Sequence, residues 1–256
     1  MPNDPIIRVE GLTARYGDRT IFDNVSFEVR TGEVFVILGG SGCGKSTLLK
    51  HMIGLYAPAS GRIWIDGEDI AQAEGEARRR VLQRIGVMYQ SGALFGSMTL
   101  LENVRLPLEE WSHLPPDAMD AIAASKLKLV QLEGYESFMP AEISGGMKKR
   151  AAIARAMALE PAILFLDEPS AGLDPITSAD LDDTIIRLSR TLGVTFVIVT
   201  HELASIFAIA TRVIMLDREK KGILATGTPQ ELRDRPTHEF VRRFFHREGE
   251  SAEGHA

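Results

Sequence analysis

Short, solidly apolar runs separated by helix-period segments dominate the chain after residue 30. Val34-Phe35-Val36-Ile37-Leu38, Ile85-Gly86-Val87-Met88, Ile163-Leu164-Phe165-Leu166, Thr195-Phe196-Val197-Ile198-Val199 and Val213-Ile214-Met215-Leu216 are the strongest. Runs with no polar alternation read as strands buried on both faces, so their spacing predicts a parallel sheet covered on both sides. The first thirty residues read differently. Ile7-Arg8-Val9-Glu10 and Phe27-Glu28-Val29-Arg30 alternate, with Asp18-Arg19 in a turn between two such runs, which predicts an antiparallel hairpin. Ile63-Trp64-Ile65 adds a further strand. From Ser91 to Leu159 the pattern is helical only, broken by Trp111-Ser112-His113-Leu114-Pro115-Pro116, as expected of a helical subdomain inserted into an α/β core. After Thr228-Pro229 a helical tail carries Phe240-Val241-Arg242-Arg243-Phe244-Phe245, and the polar end from His246 to Ala256 is expected to be disordered.

Composition narrows the classes of function. The 256 residues are 45% hydrophobic and 25% charged, enough for one core and a smaller attached unit. A net charge of −6 argues against coating nucleic acid, which requires clustered Lys and Arg. Residues 1–5 carry no charged-then-apolar leader, and no stretch approaches the ~18 apolar residues that span a bilayer. A cytosolic chain is the expectation. Cys43 is the only cysteine, which excludes an internal disulfide or a cysteine metal cluster. It reads as loop filler, with redox control of nucleotide entry as the alternative. Arg78-Arg79-Arg80 and Lys148-Lys149-Arg150 read as solvated helix faces.

The chemistry is concentrated in three places. Gly39-Gly40-Ser41-Gly42-Cys43-Gly44-Lys45-Ser46, followed by Thr47, fits G-x-x-x-x-G-K-[ST] between an apolar strand and a helix. Glycines there let backbone N–H groups converge on an anion, Lys45 supplies charge and Ser46 a hydroxyl for Mg²⁺. A dinucleotide fingerprint fails because Lys45 stands where its third glycine belongs. A nucleoside triphosphate is therefore the expected ligand. Second, the apolar run 163–166 ends in Asp167-Glu168, a metal-facing acid and a water-orienting acid of the kind phosphoryl transfer needs. Another apolar strand ends at Thr200-His201, whose imidazole can donate to a γ-phosphate oxygen. Third, in Ile143-Ser144-Gly145-Gly146-Met147-Lys148-Lys149-Arg150 a Ser-Gly-Gly turn opens the helix Ala151-Ala152-Ile153-Ala154-Arg155-Ala156-Met157 and forms a second helix N-terminal anion site.

These motifs, in this order, resemble the ATP-binding subunits of ABC transporters over nearly the whole chain. The resemblance implies an α/β fold: an ABC-type P-loop ATPase with a parallel RecA-like core sheet, an antiparallel N-terminal β subdomain and an inserted α-helical subdomain. It places the ATPase domain at 5–235, with the helical subdomain at about 91–159, and a C-terminal extension and polar tail at 236–256. It assigns Tyr16 to adenine stacking, Gly39 through Thr47 to ATP and Mg²⁺, Gln90 to the metal and attacking water, and Ser144, Gly145 and Gly146 to the signature. Asp167 and Glu168 become the Walker B pair, Ser170 through Asp174 the D-loop, and His201 the switch histidine. Glu168, His201, Lys45 and Gln90 are the implied catalytic residues, Ser46, Gln90 and Asp167 the Mg²⁺ ligands, and Asp174 a nucleotide-site residue. Each ATP would lie between the Walker loop of one chain and the signature of another, so a homodimer is implied, together with an integral-membrane permease.

Met147 departs from the usual signature glutamine, yet the Ser144 hydroxyl and glycine N–H groups remain, so activity is expected to survive. Ser-Gly-Gly-Met, beside Ser91-Gly92-Ala93-Leu94-Phe95, is similar to the Mla/Mce-type lipid-transport ATPases. That similarity implies phospholipid transport, an MCE-domain protein and a STAS-domain protein as partners, and a place on the cytoplasmic face of the inner membrane. A generic importer ATPase for amino acids or other small solutes is the alternative. A soluble ABC ATPase of DNA repair or the ribosome is a more distant one, since such relatives carry tandem domains, coiled coils or zinc modules. Leu94, Phe95 and Met98 are candidate permease contacts. The tail helix either packs on its own domain or reaches the second subunit.

Overall fold

The structure is a computed structural model that describes residues 5–247. The expected disordered segment is therefore almost entirely outside the described residues, as are residues 1–4. A long hairpin comes first: β1 (Pro5–Tyr16) and β2 (Arg19–Arg30) pair antiparallel through a tight turn at Gly17-Asp18. β4 (Ser60–Ile65) and the two-residue β5 (Glu68–Asp69) extend this sheet, giving the order β2-β1-β4-β5. Thus 63–65 belongs to the hairpin's sheet.

The central sheet has the order β10-β9-β3-β8-β7-β6. Its strands are β3 (Val34–Gly39), β6 (Ile85–Met88), β7 (Ile163–Asp167), β8 (Thr195–Val199), β9 (Arg212–Asp217) and β10 (Gly222–Gly227). Five run parallel, but β10 pairs antiparallel with β9. The sheet is therefore mixed, and its edge strand is one that the apolar pattern does not reveal, because β10 is only half-buried and carries glycine at both ends.

Side-chain alternation explains why the inner strands are apolar throughout. Phe35, Ile37, Phe165, Val197, Val199 and Ile214 share a core with the antiparallel sheet and the helices α1 (Lys45–Met52) and α2 (Gly75–Gln83). Val36, Leu38, Leu164, Leu166, Phe196 and Ile198 face a second core. That core contains α3 (Leu100–Trp111), α4 (Pro116–Leu129), α5 (Gly145–Ala156), α6 (Pro175–Leu192) and α7 (Leu203–Ile209). So one face is covered by helices and the other mainly by strands. Phe35, Phe165 and Phe196 are fully buried, and truncating any of them to alanine would cost about 3–5 kcal/mol.

Between residues 91 and 159 the described structure contains helices and turns without a strand. α3 begins with a capping box between Thr99 and Glu102 and ends where the Trp111–Pro116 break was expected. After α8 (Pro229–Asp234), the tail helix α9 (Glu239–His246) folds back on its own chain. Val241 and Phe245 are buried in the helical core, with Phe245 edge-on to Phe207 at 5.8 Å.

Candidate functional site

Parallel registry brings the C-terminal ends of β3, β7 and β8 to one edge: Ile37 lies opposite Val199, and Val199 opposite Asp167. Gly39, Asp167, Glu168 and His201 therefore meet where open α/β sheets bind ligands. The glycine loop is sterically required. Gly39 has φ 148, and a Cβ there would lie 2.6 Å from the Leu216 carbonyl. Gly44 has φ 101, and its Cβ would lie 2.5 Å from Phe22 Cζ. Lys45 Nζ donates to the carbonyls of Gly39 at 2.8 Å and Gly40 at 3.2 Å, folding its ammonium over the loop. Gly40, Ser41 and Gly42 line the loop, and the Ser46 hydroxyl is at the exposed N-terminus of α1, one residue before Thr47. Cys43 is buried beneath the loop, and burial raises its thiol pKa, as loop filler requires.

Two carboxylates close the other side. Asp167 Oδ1 and Glu168 Oε2 are buried without a hydrogen-bond partner. Burial raises the Asp167 pKa, Glu168 raises it further, and Lys50, Lys45 and Lys149 pull it back. Glu168 sits at φ 47, a left-handed conformation that costs a non-glycine residue roughly 1–2 kcal/mol. Its N–H donates to Val199 O at 2.8 Å, which holds the turn, and its Oε1 is 2.8 Å from His201 Nδ1. Hard, unpartnered carboxylate oxygens at the sheet edge that carries the glycine loop fit Mg²⁺, which takes one or two carboxylates and completes its shell with phosphate and water. Lys45, Glu168 and His201 are thus brought together, while Gln90 is exposed just beyond β6.

Ser144 and Gly145 are exposed at the start of α5, where Ser144 Oγ accepts from the Met147 N–H at 3.3 Å. Gly146 is buried, and a Cβ on it would collide with Thr177 of α6. Asp174 is committed to capping α6: Oδ1 accepts from the N–H groups of Ile176 and Thr177, and Oδ2 from the Thr177 hydroxyl. The Thr177 hydrogen bonds lower its pKa. Tyr16 is exposed, with Tyr56 edge-on at 5.9 Å. Of the three apolar residues in the loop after β6, Phe95 is exposed, whereas Leu94 and Met98 are partly buried.

One reading of the charge runs is overturned. Lys149 is buried, and its ammonium donates to the Gln90 carbonyl. Arg155 donates to the carbonyls of Ala93 at 2.7 Å and Gly92 at 2.9 Å. Fully buried Asn103 accepts from Phe95 N–H and donates to the carbonyls of Phe95, Met98 and Thr99. Loop 90–99 is therefore fastened by side chains of α3 and α5. Helical phase could have found Lys149, since it shares the stripe of Gly146 and Ile153. Arg78 likewise is tied down, donating to Gly54 O at 2.9 Å and Ile70 O at 3.2 Å.

The family model described as "ABC transporter" matches residues 22–171. Over 230 residues the chain is 39% identical to the intermembrane phospholipid transport system ATP-binding protein MlaF of Haemophilus influenzae, covering 90% of this chain and 86% of that one. It is 44% identical over 201 residues to the probable ribonucleotide transport ATP-binding protein mkl of Mycobacterium leprae, covering 78% of this chain and 58% of that one. A dimeric post-hydrolysis structure of the ATP-binding cassette MJ0796, bound to ADP and Pi, superposes with a TM-score of 0.77 at 28% identity, covering 87% of this chain and 98% of that one. The chain belongs to the ABC transporter ATP-binding family. As a member it is an ATP-hydrolysing nucleotide-binding subunit of a class that uses ATP with Mg²⁺, dimerises and couples to a permease, homologous to the MlaF type. Among the described residues no helix is long and apolar enough to cross a membrane.

Proposed function

We propose that this chain is the ATPase of a lipid-moving ABC transporter and that two copies enclose two ATP molecules. The observation that carries the two-copy reading is a division of labour. The Lys45 loop has its carboxylates and histidine beside it, whereas the Ser144-Gly145 turn is exposed at the N-terminus of α5. In this reading Lys45 and residues 39–47 bind the phosphates of one ATP, Tyr16 stacks on its adenine, and the partner copy's Ser144 turn covers its γ-phosphate. Asp167 and Ser46, with Gln90, would hold Mg²⁺, which neutralises phosphate charge. Glu168 orients and deprotonates water, and His201 fixes the Glu168 carboxylate and stabilises the transferring phosphoryl group. Asp174 acts indirectly, by capping the helix that supports the signature turn.

Residues 5–235 form the ATPase domain, 91–159 its helical subdomain, and the segment from 236 an extension. Closure moves the permease through Phe95 and the loop fastened to α3 and α5. A nearby apolar cleft of about 300 Å³, lined in part by Ile53, Leu82, Tyr89 and Trp111, is available to the same partner. The complex would sit on the cytoplasmic face of the inner membrane with MCE-domain and STAS-domain proteins, and without nucleic acid. Identity to the Haemophilus protein supports lipid as cargo. The Mycobacterium leprae relative, named for probable ribonucleotide transport, supports a second reading, the ATPase of a small-solute transporter. Purifying the chain with its permease and analysing bound molecules by mass spectrometry separates them. Enriched phospholipid is expected, and a copurifying solute-binding protein without lipid would overturn the lipid assignment.

A further inference from the structure

Lysine is seldom buried without a carboxylate in direct contact, because removing an ammonium from water is costly unless other negative charge compensates it. Lys149 meets that condition in an unusual way. Its hydrogen-bond acceptor is a neutral backbone carbonyl, that of Gln90; burial lowers its pKa, and the charges of Glu168 and Asp167 offset that only in part. Both acids keep a buried oxygen with no hydrogen-bond partner, and Lys149 joins Lys50 and Lys45, the larger contributors, in favouring ionised Asp167. Lys149 also lies on the same helix as Ser144, five residues into α5, whose rigid backbone joins the exposed turn to loop 90–99. Arg155, farther along α5, clamps Gly92 and Ala93 of that loop.

We infer that Lys149 is a positioning residue for ATP hydrolysis, holding the Gln90 backbone beside the Asp167–Glu168 carboxylates with one buried charge. It acts through Gln90 and touches no reacting atom. Because it rides on α5, displacement of the Ser144 turn by a partner copy is carried to Gln90 through the Lys149 side chain, with Arg155 moving Gly92 and Ala93 alongside. The inference rests on the ATPase reading above.

The test uses the full chain assembled with its permease, with wild-type hydrolysis as the control. Lys149→Met should lower kcat for ATP about 10–100-fold while KM stays within about threefold, the pattern of lost positioning and not of lost binding. In the nucleotide-free chain, amide exchange over 90–93 should speed up about tenfold or more. Lys149→Gln keeps a neutral donor, so it should retain more of that protection and still lose kcat about tenfold. A Lys149→Met kcat within about twofold of wild type, unchanged exchange over 90–93, or a Lys149→Gln enzyme at full rate would each overturn the proposal. If the wild-type complex itself fails to hydrolyse ATP, the ATPase reading falls first and takes this inference with it.

Discussion

Two glycine-rich helix starts, at Gly39–Lys45 and at Ser144–Gly146, look alike as strings and differ as structures. The first is built around its own chemistry: positive φ at Gly39 and Gly44, close approach to Leu216 and Phe22, and a lysine folded back over the loop. The second supplies a serine cap and open backbone, and its buried glycine is required by Thr177 of its own chain. Similar glycine strings thus arise from a strained loop under a folded-back lysine in one place and partly from helix packing in the other. One region has charges to act with, and the other has a surface to offer.

The largest effect that would test this contrast is chemical. Glu168→Gln should cut hydrolysis by roughly 10²–10⁴-fold while leaving ATP binding intact; normal phosphate release by the assembled variant would remove Glu168 from its role. Lys45→Ala should weaken ATP binding by about 1.5–3 kcal/mol through loss of charge-assisted hydrogen bonds, measured by fluorescent-nucleotide titration. Unchanged affinity would mean that the loop is not the phosphate cradle.

Much of this was legible beforehand. The apolar strands, the hairpin, the helical block and the acids after 166 follow from periodicity and from residue types at strand ends. Other features were hidden for identifiable reasons. β10 is half-buried and carries glycine at both ends, so no apolar run marks it. Lys149 looked solvated because three basic residues in succession normally are, and only the phase of α5 turns the middle one inward. Asp174 reads as a site acid in its motif, but two backbone N–H groups and a hydroxyl claim its oxygens.

Within the second region, two glycines separate packing from ligand contact. Gly146→Ala should destabilise by about 1–3 kcal/mol because its methyl group enters Thr177. Gly145→Ala meets Leu173 at an ordinary 3.5 Å, so its melting temperature should change by no more than about 2 °C. Equal destabilisation of the two variants would erase that distinction.

A further effect concerns α6, whose Thr177 packs against Gly146 of the second region. Asp182 is buried near Ser205 of α7, and burial pushes its carboxyl from 3.8 up to about 6, with Glu202 and Asp183 adding to the rise. Between those values the native state holds more protons than the unfolded chain, so this group makes stability fall as pH rises from about 4 to about 6. Asp182→Asn should remove that slope, on the order of 1–2 kcal/mol across the window, in urea titrations at fixed pH. An identical slope in the variant would relocate the titrating group.

The central claim is that each chain carries two half-sites that only a second copy completes. Sedimentation of Glu168→Gln with and without Mg·ATP tests it directly, with Ser144→Arg added as the break. Glu168→Gln should be monomeric alone and dimeric with ATP, and the double variant should bind ATP yet stay monomeric. A double variant that dimerises as readily as Glu168→Gln would contradict the claim.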